Sequence, residues 1–437
     1  MILIKNGILV DPAAEGGQCG EGMFHRDILI QEGRIQRIAP SIAPEENPDA
    51  QVIDAAGLKV GPGLVDVHVH FRDPGFTYKE DIQSGALAAA AGGYTSVVLM
   101  ANTRPAVDNE ETLAYVLGEA AKTQIRVYTC ATVTEGLKGQ KLVDMERLHS
   151  LGAVGFTDDG IPLMDEMLVR RAMKKAADLN VPLSFHEENP AYIQNNGINA
   201  GPVAEHFGIG GSDRMAEISL ISRDVELALE SGAIYDCQHI STKEGVELIR
   251  SAKKRAVEQK KGRIHAEATP HHFSLTQEAV LEHGSLAKMN PPLRTEEDRR
   301  AIVQALADGT IDLIATDHAP HSPEEKAREL TEAPSGIIGL ETAFSLAITN
   351  LVRPGHLTLK TLFNRMSMAP AGLYHLHGGR IAEGMPADLV LFDEDKKVVY
   401  DRFLSKSQNS PFRGKELQGS IEMTICGGKI VYDRNGK

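Results

Sequence analysis

An α/β protein built on a (β/α)8 (TIM) barrel, with a small β-sandwich domain assembled from both chain ends, is the fold this sequence predicts. Three observations lead there. The middle of the chain alternates apolar strand-like runs with helical segments, the pattern of a parallel sheet. Eight such strand candidates fall within it, which suits a barrel. Both ends read as short strands and turns, and neither is large enough to bury a good core alone.

Taken in order, residues 1–60 hold strand candidates at Ile2–Ile4, Ile8–Val10, Asp27–Ile30, Arg34–Ile38 and Gln51–Asp54. The tail repeats that character at Ala387–Asp393 and Gly428–Asp433, so 1–60 and 380–437 are expected to form one composite β domain. Residues 61–379 then form the barrel. Its strands are expected at Leu64–His70, Tyr94–Met100, Ile125–Ala131, Ala153–Thr157, Val181–His186, Ala233–His239, Arg263–Ala268 and Ile311–Thr316. Helical candidates follow, among them Asp81–Ala91, Met164–Leu179, Arg214–Leu229, Glu244–Glu258, Glu297–Ala307 and Leu340–Leu351. A doubly wound open sheet is the competing architecture, but no Gly-x-Gly-x-x-Gly follows the first strand.

Composition narrows the function. The 437 residues carry 46 basic and 60 acidic side chains, a net charge of -14, which argues against a nucleic-acid partner or an anionic membrane surface. The four cysteines are scattered, without a Cys-x-x-Cys pair, as in a reducing cytoplasm; they suggest neither a disulfide framework nor a thiolate zinc site. The N-terminal apolar run is too short for a signal peptide, and the most apolar window, Ala86–Ala101, is interrupted by Gly92-Gly93. A cytoplasmic protein without a membrane span is expected.

The chemistry concentrates where a barrel keeps its active site, at the C-terminal ends of the strands. In Leu64–His70 the valines at 65, 67 and 69 alternate with Asp66, His68 and His70, so two imidazoles are expected on one face and three valines on the other. Residues two apart on a strand lie roughly 6.5 Å apart, close enough for both rings to reach one metal ion. The other strand ends supply Asn102, Asp158-Asp159, His186, His239 and Asp317. This donor set exceeds what one tetrahedral ion needs, and two metals sharing a carboxylate would use all of it for amide or ester hydrolysis. Imidazoles and carboxylates without thiolate favour zinc, with manganese or cobalt as alternatives. His318, next to Asp317, is expected to point elsewhere, and His271 and His272 to pack or hydrogen bond.

These residues resemble the amidohydrolase superfamily, and within it the bacterial type I dihydroorotases. The motifs are Gly61–Gly75, Asn102-Thr103-Arg104-Pro105, Phe156–Gly160, Asn290–Arg294 and Thr316–His321. The resemblance spans nearly the whole chain. It implies that His68, His70, Asp159 and Asp317 hold one zinc, and that Asp159, His186 and His239 hold a second, with Asp159 bridging. Relatives such as hydantoinases and allantoinases use a carbamylated lysine as the bridge, whereas here Asp158-Asp159 stands at that strand end. The resemblance also implies that Arg72, Asn102 and His321 meet a substrate carboxylate, that Asn290 meets the ring, and that Ser335 and Gly336 add contacts. It makes Asp317 the general base and then acid in the reversible cyclisation of N-carbamoyl-L-aspartate to L-dihydroorotate. A homodimer, and association with aspartate transcarbamoylase, belong to the same expectation. Ala101 stands where the family usually has proline, and Ser335 where phenylalanine is common. The competing functions are a hydantoinase or allantoinase, and a non-catalytic homologue that scaffolds aspartate transcarbamoylase. The long segments Glu187–Asp213 and Ala319–Ile338 are rich in Gly, Pro and polar residues, and one of them is expected to cover the substrate.

Overall fold

The computed structural model describes residues 1–436. The terminal sheet uses β1 (Ile2–Val10), β2 (Met23–Gln31), β3 (Arg34–Ala39), β4 (Gln51–Asp54) and β5 (Lys59–Pro62). The barrel strands are β6 (Leu64–Val69), β7 (Tyr94–Leu99), β8 (Arg126–Thr129), β9 (Pro182–Phe185), β10 (Ile234–Cys237), β11 (Arg263–Ala268) and β12 (Leu313–Ile314). β13 (Leu389–Val399), β14 (Glu416–Cys426) and β15 (Lys429–Asp433) return to the first sheet.

Both chain ends meet in one eight-stranded sheet, ordered β15-β14-β13-β5-β1-β2-β3 with β4 beside β1. The two runs expected at Ile2–Ile4 and Ile8–Val10 are one strand, whose register slips between Ile4 and Gly7 where Asn6 turns left-handed at φ 62°. β14 has no counterpart among the expected strands. Gly419 at φ 87° interrupts its alternation, so its sequence does not read as a clean period of two. β13 serves two cores by alternation: Leu389 and Leu391 pack with Ile4, Ile28 and Ile425, while Val390 and Phe392 pack with Phe344 and Phe363.

In the barrel, parallel ladders join β6-β7-β8 and β9-β10-β11-β12. Isolated bridges span both seams: Ala131 to Phe156 and Phe156 to Leu183 on one side, Val69 to His318 on the other. The fourth expected strand, Ala153–Thr157, therefore occupies its place through single bridges rather than a regular ladder. Gly155 sits at the pinch, where a Cβ would come 2.7 Å from Tyr374.

Helix ends follow their caps. Asp81 accepts from the Ser84 amide to open Ile82–Ala91, and Thr295 with Asp298 forms a capping box at Glu296–Asp308. The expected Leu340–Leu351 helix is α-helical only to Ala347 and continues as a π-turn to Val352.

Candidate active site

β6 departs from strict alternation. Asp66 pairs with Val97 and Val69 with Leu99, so Val67 and His68 together oppose one residue of β7. This bulge corrects the expected faces. Val65 and Val67 pack with Val98, Met100 and Leu313, whereas Val69 packs in the other cluster with Leu99. Asp66 stabilises the bulge: its carboxylate accepts from the His68 amide at 3.1 Å and from the Thr316 amide at 3.2 Å, joining the first and last barrel strands. Burial pushes Asp66 up to about 7.

Above the bulge the imidazoles converge. His68 Nε2 lies 3.5 Å from Asp159 Oδ1 and 3.6 Å from Asp317 Oδ1. His70 Nε2 lies 3.0 Å from Asp317 Oδ1 and 3.4 Å from Asp159 Oδ2. Across Asp159, His186 Nδ1 and His239 Nε2 are each 3.8 Å from its Oδ1 and 3.0 Å from one another. All six side chains are buried. His239 and Asp317 hold left-handed backbone, at φ 30° and 48°, a strain typical of functional positions.

Two observations make this set fit metal. Ligands bound at about 2.0–2.1 Å to a tetrahedral ion lie roughly 3.4 Å apart, close to the separations found here. His68 Nε2 is also buried without a hydrogen-bond partner, although its Nδ1 donates to Glu267 Oε2 at 2.9 Å. A ring held in that tautomer aims its free lone pair at the site. Asn102 Oδ1 holds His70 Nδ1 at 2.9 Å, and Glu188 Oε2 holds His186 Nε2 at 3.1 Å. Sequence reasoning missed Glu267, Glu188 and Asp66. Glu267 and Asp66 take their roles from partners distant in the chain, and Glu188, though only two residues from His186, carries no mark of its contact in the sequence.

Asp158 and Asp159 part company at the backbone. Asp158 turns away and accepts from the amides of Val133 at 2.7 Å and Thr134 at 3.1 Å. His318 likewise leaves the site, its Nδ1 accepting from the Gly339 amide at 3.1 Å. His272 is engaged by Thr269 at 2.7 Å and the Pro291 carbonyl at 3.1 Å.

A cavity of about 120 Å³ opens over these groups, lined by His70, Asp159, His186, His239 and Asp317 together with Arg72, Asn102, Asn290, Ser335 and Gly336. A larger groove of about 780 Å³ runs outside the barrel past Ile218, Leu248 and Ala301, and none of the candidate residues reaches it. Volume is therefore a poor guide to the chemistry here.

The Arg72 guanidinium donates through Nε to the Pro320 carbonyl at 3.3 Å and has no ion pair among the described residues. His321 Nε2 is buried and unpartnered. Burial, reinforced by Arg72 and Lys79, keeps that ring far below the ordinary imidazole value, hence neutral. Asn102 does double service, lining the cavity and donating to Asp159 Oδ2 at 3.0 Å. Asn290 Nδ2 stands 3.3 Å from His186 Nε2. Ser335 Oγ donates to Asn196 Oδ1 at 3.0 Å, so the two long segments meet at the cavity. A Cβ on Gly336 would lie 2.8 Å from Ala319 and 3.1 Å from His321 Nε2, which leaves room for nothing larger than hydrogen.

A family model described as Dihydro-orotase-like matches residues 57–245. A dihydroorotase of Clostridioides difficile strain 630 is 52% identical over 433 residues, covering 99% of this chain and 100% of that protein. One from Streptococcus pyogenes serotype M3 is 47% identical over 434 residues, again 99% and 100%. Among solved structures, an L-hydantoinase (dihydropyrimidinase) from Arthrobacter aurescens has a TM-score of 0.86 at 25% identity, covering 100% of this chain and 96% of its own. A dihydropyrimidinase from Brevibacillus agri NCHU1002 has a TM-score of 0.83 at 21% identity, covering 99% and 95%, a likeness of fold.

Proposed function

The chain belongs to the dihydroorotase family and is a hydrolase of cyclic-amide C–N bonds, and we propose that its site carries out the reversible conversion of N-carbamoyl-L-aspartate to L-dihydroorotate and water in pyrimidine biosynthesis. One juxtaposition carries this reading: two imidazole–carboxylate clusters sharing Asp159 open into the same cavity as a guanidinium without an ion-pair partner. A carboxylate-bearing cyclic amide satisfies both. The fork of Arg72 suits a carboxylate, and such charge-assisted bonds strengthen away from water.

His68, His70, Asp159 and Asp317 would hold one metal ion, and Asp159, His186 and His239 a second; zinc is the metal we propose for these sites. When bound there, the metal supplies Lewis acidity toward the amide carbonyl and makes water acidic enough to react near neutral pH. Glu267, Asn102 and Glu188 keep the ligating rings in one tautomer and orientation. Arg72, Asn102 and His321 take the substrate carboxylate, Asn290 the ring, and Ser335 and Gly336 close the cavity edge. In hydrolysis the water oxygen bonds to the ring carbonyl carbon and Asp317 takes its proton. As the C–N bond breaks, Asp317 returns that proton to the leaving nitrogen. Ring closure reverses the steps.

The four free cysteines suit a cytoplasmic location, and no helix is long and apolar enough to cross a membrane among the described residues. A homodimer and association with aspartate transcarbamoylase complete the proposal, on the family resemblance alone.

The deciding experiment is turnover of dihydroorotate, hydantoin, dihydrouracil and allantoin by the zinc-loaded protein, with metal counted on the same sample. Selective, chelator-sensitive hydrolysis of dihydroorotate is expected. Preference for the neutral rings would make the protein a hydantoinase, and no turnover with metal bound would make it a scaffold.

A further inference from the structure

The two loops that carry the proposed carboxylate contacts are tied together by a segment belonging to neither. Residues 405–410 lie between β13 and β14, in the part of the chain that returns to the terminal sheet. Even so, Ser405, Ser407 and Asn409 are 2–3% exposed. Toward the loop after β6, Ser407 Oγ donates to the Lys79 carbonyl at 2.8 Å and the Lys406 amide to Glu80 Oε1 at 3.2 Å. Toward the loop after the last barrel strand, Asn409 is engaged almost completely. Its Nδ2 donates to the carbonyls of Ala319 and Gly336, both at 3.1 Å. Its Oδ1 accepts from the His321 amide at 3.1 Å, and its backbone carbonyl accepts from the Ile338 amide at 3.1 Å.

Only a short amide side chain offers two donors and an acceptor at this reach. Its loss would leave the buried Ala319 carbonyl and the His321 amide unpaired, at the place where Gly336 and His321 already pack without slack.

We propose that Asn409 is a positioning residue for substrate. It fixes the spacing of His321 from Gly336 and, through Ser407, ties that edge of the cavity to the loop bearing Arg72. The substrate carboxylate then meets a cradle already built in the free enzyme. This rests on the assignment of Arg72 and His321 to the carboxylate.

The test is steady-state kinetics on dihydroorotate for Asn409→Ala and Arg72→Met, with metal content measured for each. Asn409→Ala is expected to raise KM roughly tenfold, with kcat and metal content nearly unchanged. A folded Asn409→Ala with normal KM overturns the proposal, as does a kcat that falls together with metal content while KM holds. If Arg72→Met leaves KM unchanged, the carboxylate assignment itself fails; if Arg72→Met raises KM and Asn409→Ala does not, only the role of Asn409 fails. Amide exchange on the unaltered, ligand-free enzyme gives a reading free of folding losses. Slow exchange at His321 and Ile338 supports the prebuilt cradle, and exchange at free-chain rates overturns it.

Discussion

Asp158 and Asp159 are the same side chain one residue apart, and they differ only in what reaches them. Asp158 takes two backbone amides and the Thr134 hydroxyl, and burial raises it to about 6. Asp159 faces four imidazoles. Asp158→Asn is therefore expected to keep its metal while lowering unfolding free energy by about 1–3 kcal/mol, because the buried Thr134 hydroxyl, which donates to Oδ2, loses its acceptor. Asp159→Asn is expected to lose metal and turnover together. Metal analysis and urea midpoints on both variants separate the two roles; equal metal loss in both would refute the division. Asp317→Asn should cut turnover by at least about a hundredfold with most metal retained, and near-normal activity would sink its assignment as the proton carrier. Lys326 is a buried ammonium donating to the carbonyls of Pro334 at 2.9 Å and Gly336 at 3.0 Å. Burial lowers it to about 7 from an ordinary 10.5. Between those values the unfolded chain holds more of this proton than the folded one, so its contribution makes stability rise with pH, by at most about 1.4 kcal/mol per unit. Below the lower value the burial penalty is fully present. Lys326→Met should lack that rise, read as urea midpoints at pH 7 and 9.5 for both proteins.

At the scale of single elements, β6 shows what alternation can and cannot say. A period of two correctly marks the strand and its His-x-His pair, but it also places all three valines on the opposite face. The bulge at Val67-His68 changes that, and it depends on the Thr316 amide reaching Asp66 from the far end of the barrel. No local pattern contains that contact. The helix Ile82–Ala91 gives a sharper test. Gly85 sits inside it, and replacement by Ala would ordinarily gain about 1 kcal/mol of helix propensity. Here the new Cβ would lie 2.4 Å from the Phe71 ring, beside His70. Overpacking costs typically 1–3 kcal/mol, so Gly85→Ala is expected to lower the thermal midpoint and weaken metal retention. A rise in midpoint would show that Phe71 yields without strain.

Over the whole molecule, the terminal sheet is part of what keeps the barrel folded. Val390, Phe392, Leu417 and Ile421 belong to the same buried cluster as Leu64, Tyr94 and Phe344. Asn409 and Ser407 hold loops at the cavity mouth. We propose a domain division at residues 61 and 379, the first falling within β5, and residues 61–379 produced alone would expose that apolar face to water. This fragment is expected to be insoluble or to unfold without a cooperative transition; a soluble, metal-retaining fragment would show the barrel to be self-sufficient.

Periodicity, composition and the residue types at strand ends were enough to indicate a barrel with a composite β domain, and to gather His68, His70, Asn102, Asp158-Asp159, His186, His239 and Asp317; the family resemblance chose Asp159 over Asp158. Strand ends converge in a parallel barrel whatever the loops do, so a cluster of side chains placed there can be read from a linear chain. The orienting carboxylates Glu267 and Glu188, the bulge held by Asp66, and the strap at Asn409 were decided by tertiary structure alone. For Glu267, Asp66 and Asn409 the deciding hydrogen bond joins segments far apart in sequence. Glu188 lies only two residues from His186, but an isolated Glu, Asp or Asn looks the same in the chain whether its partner is water or a buried histidine.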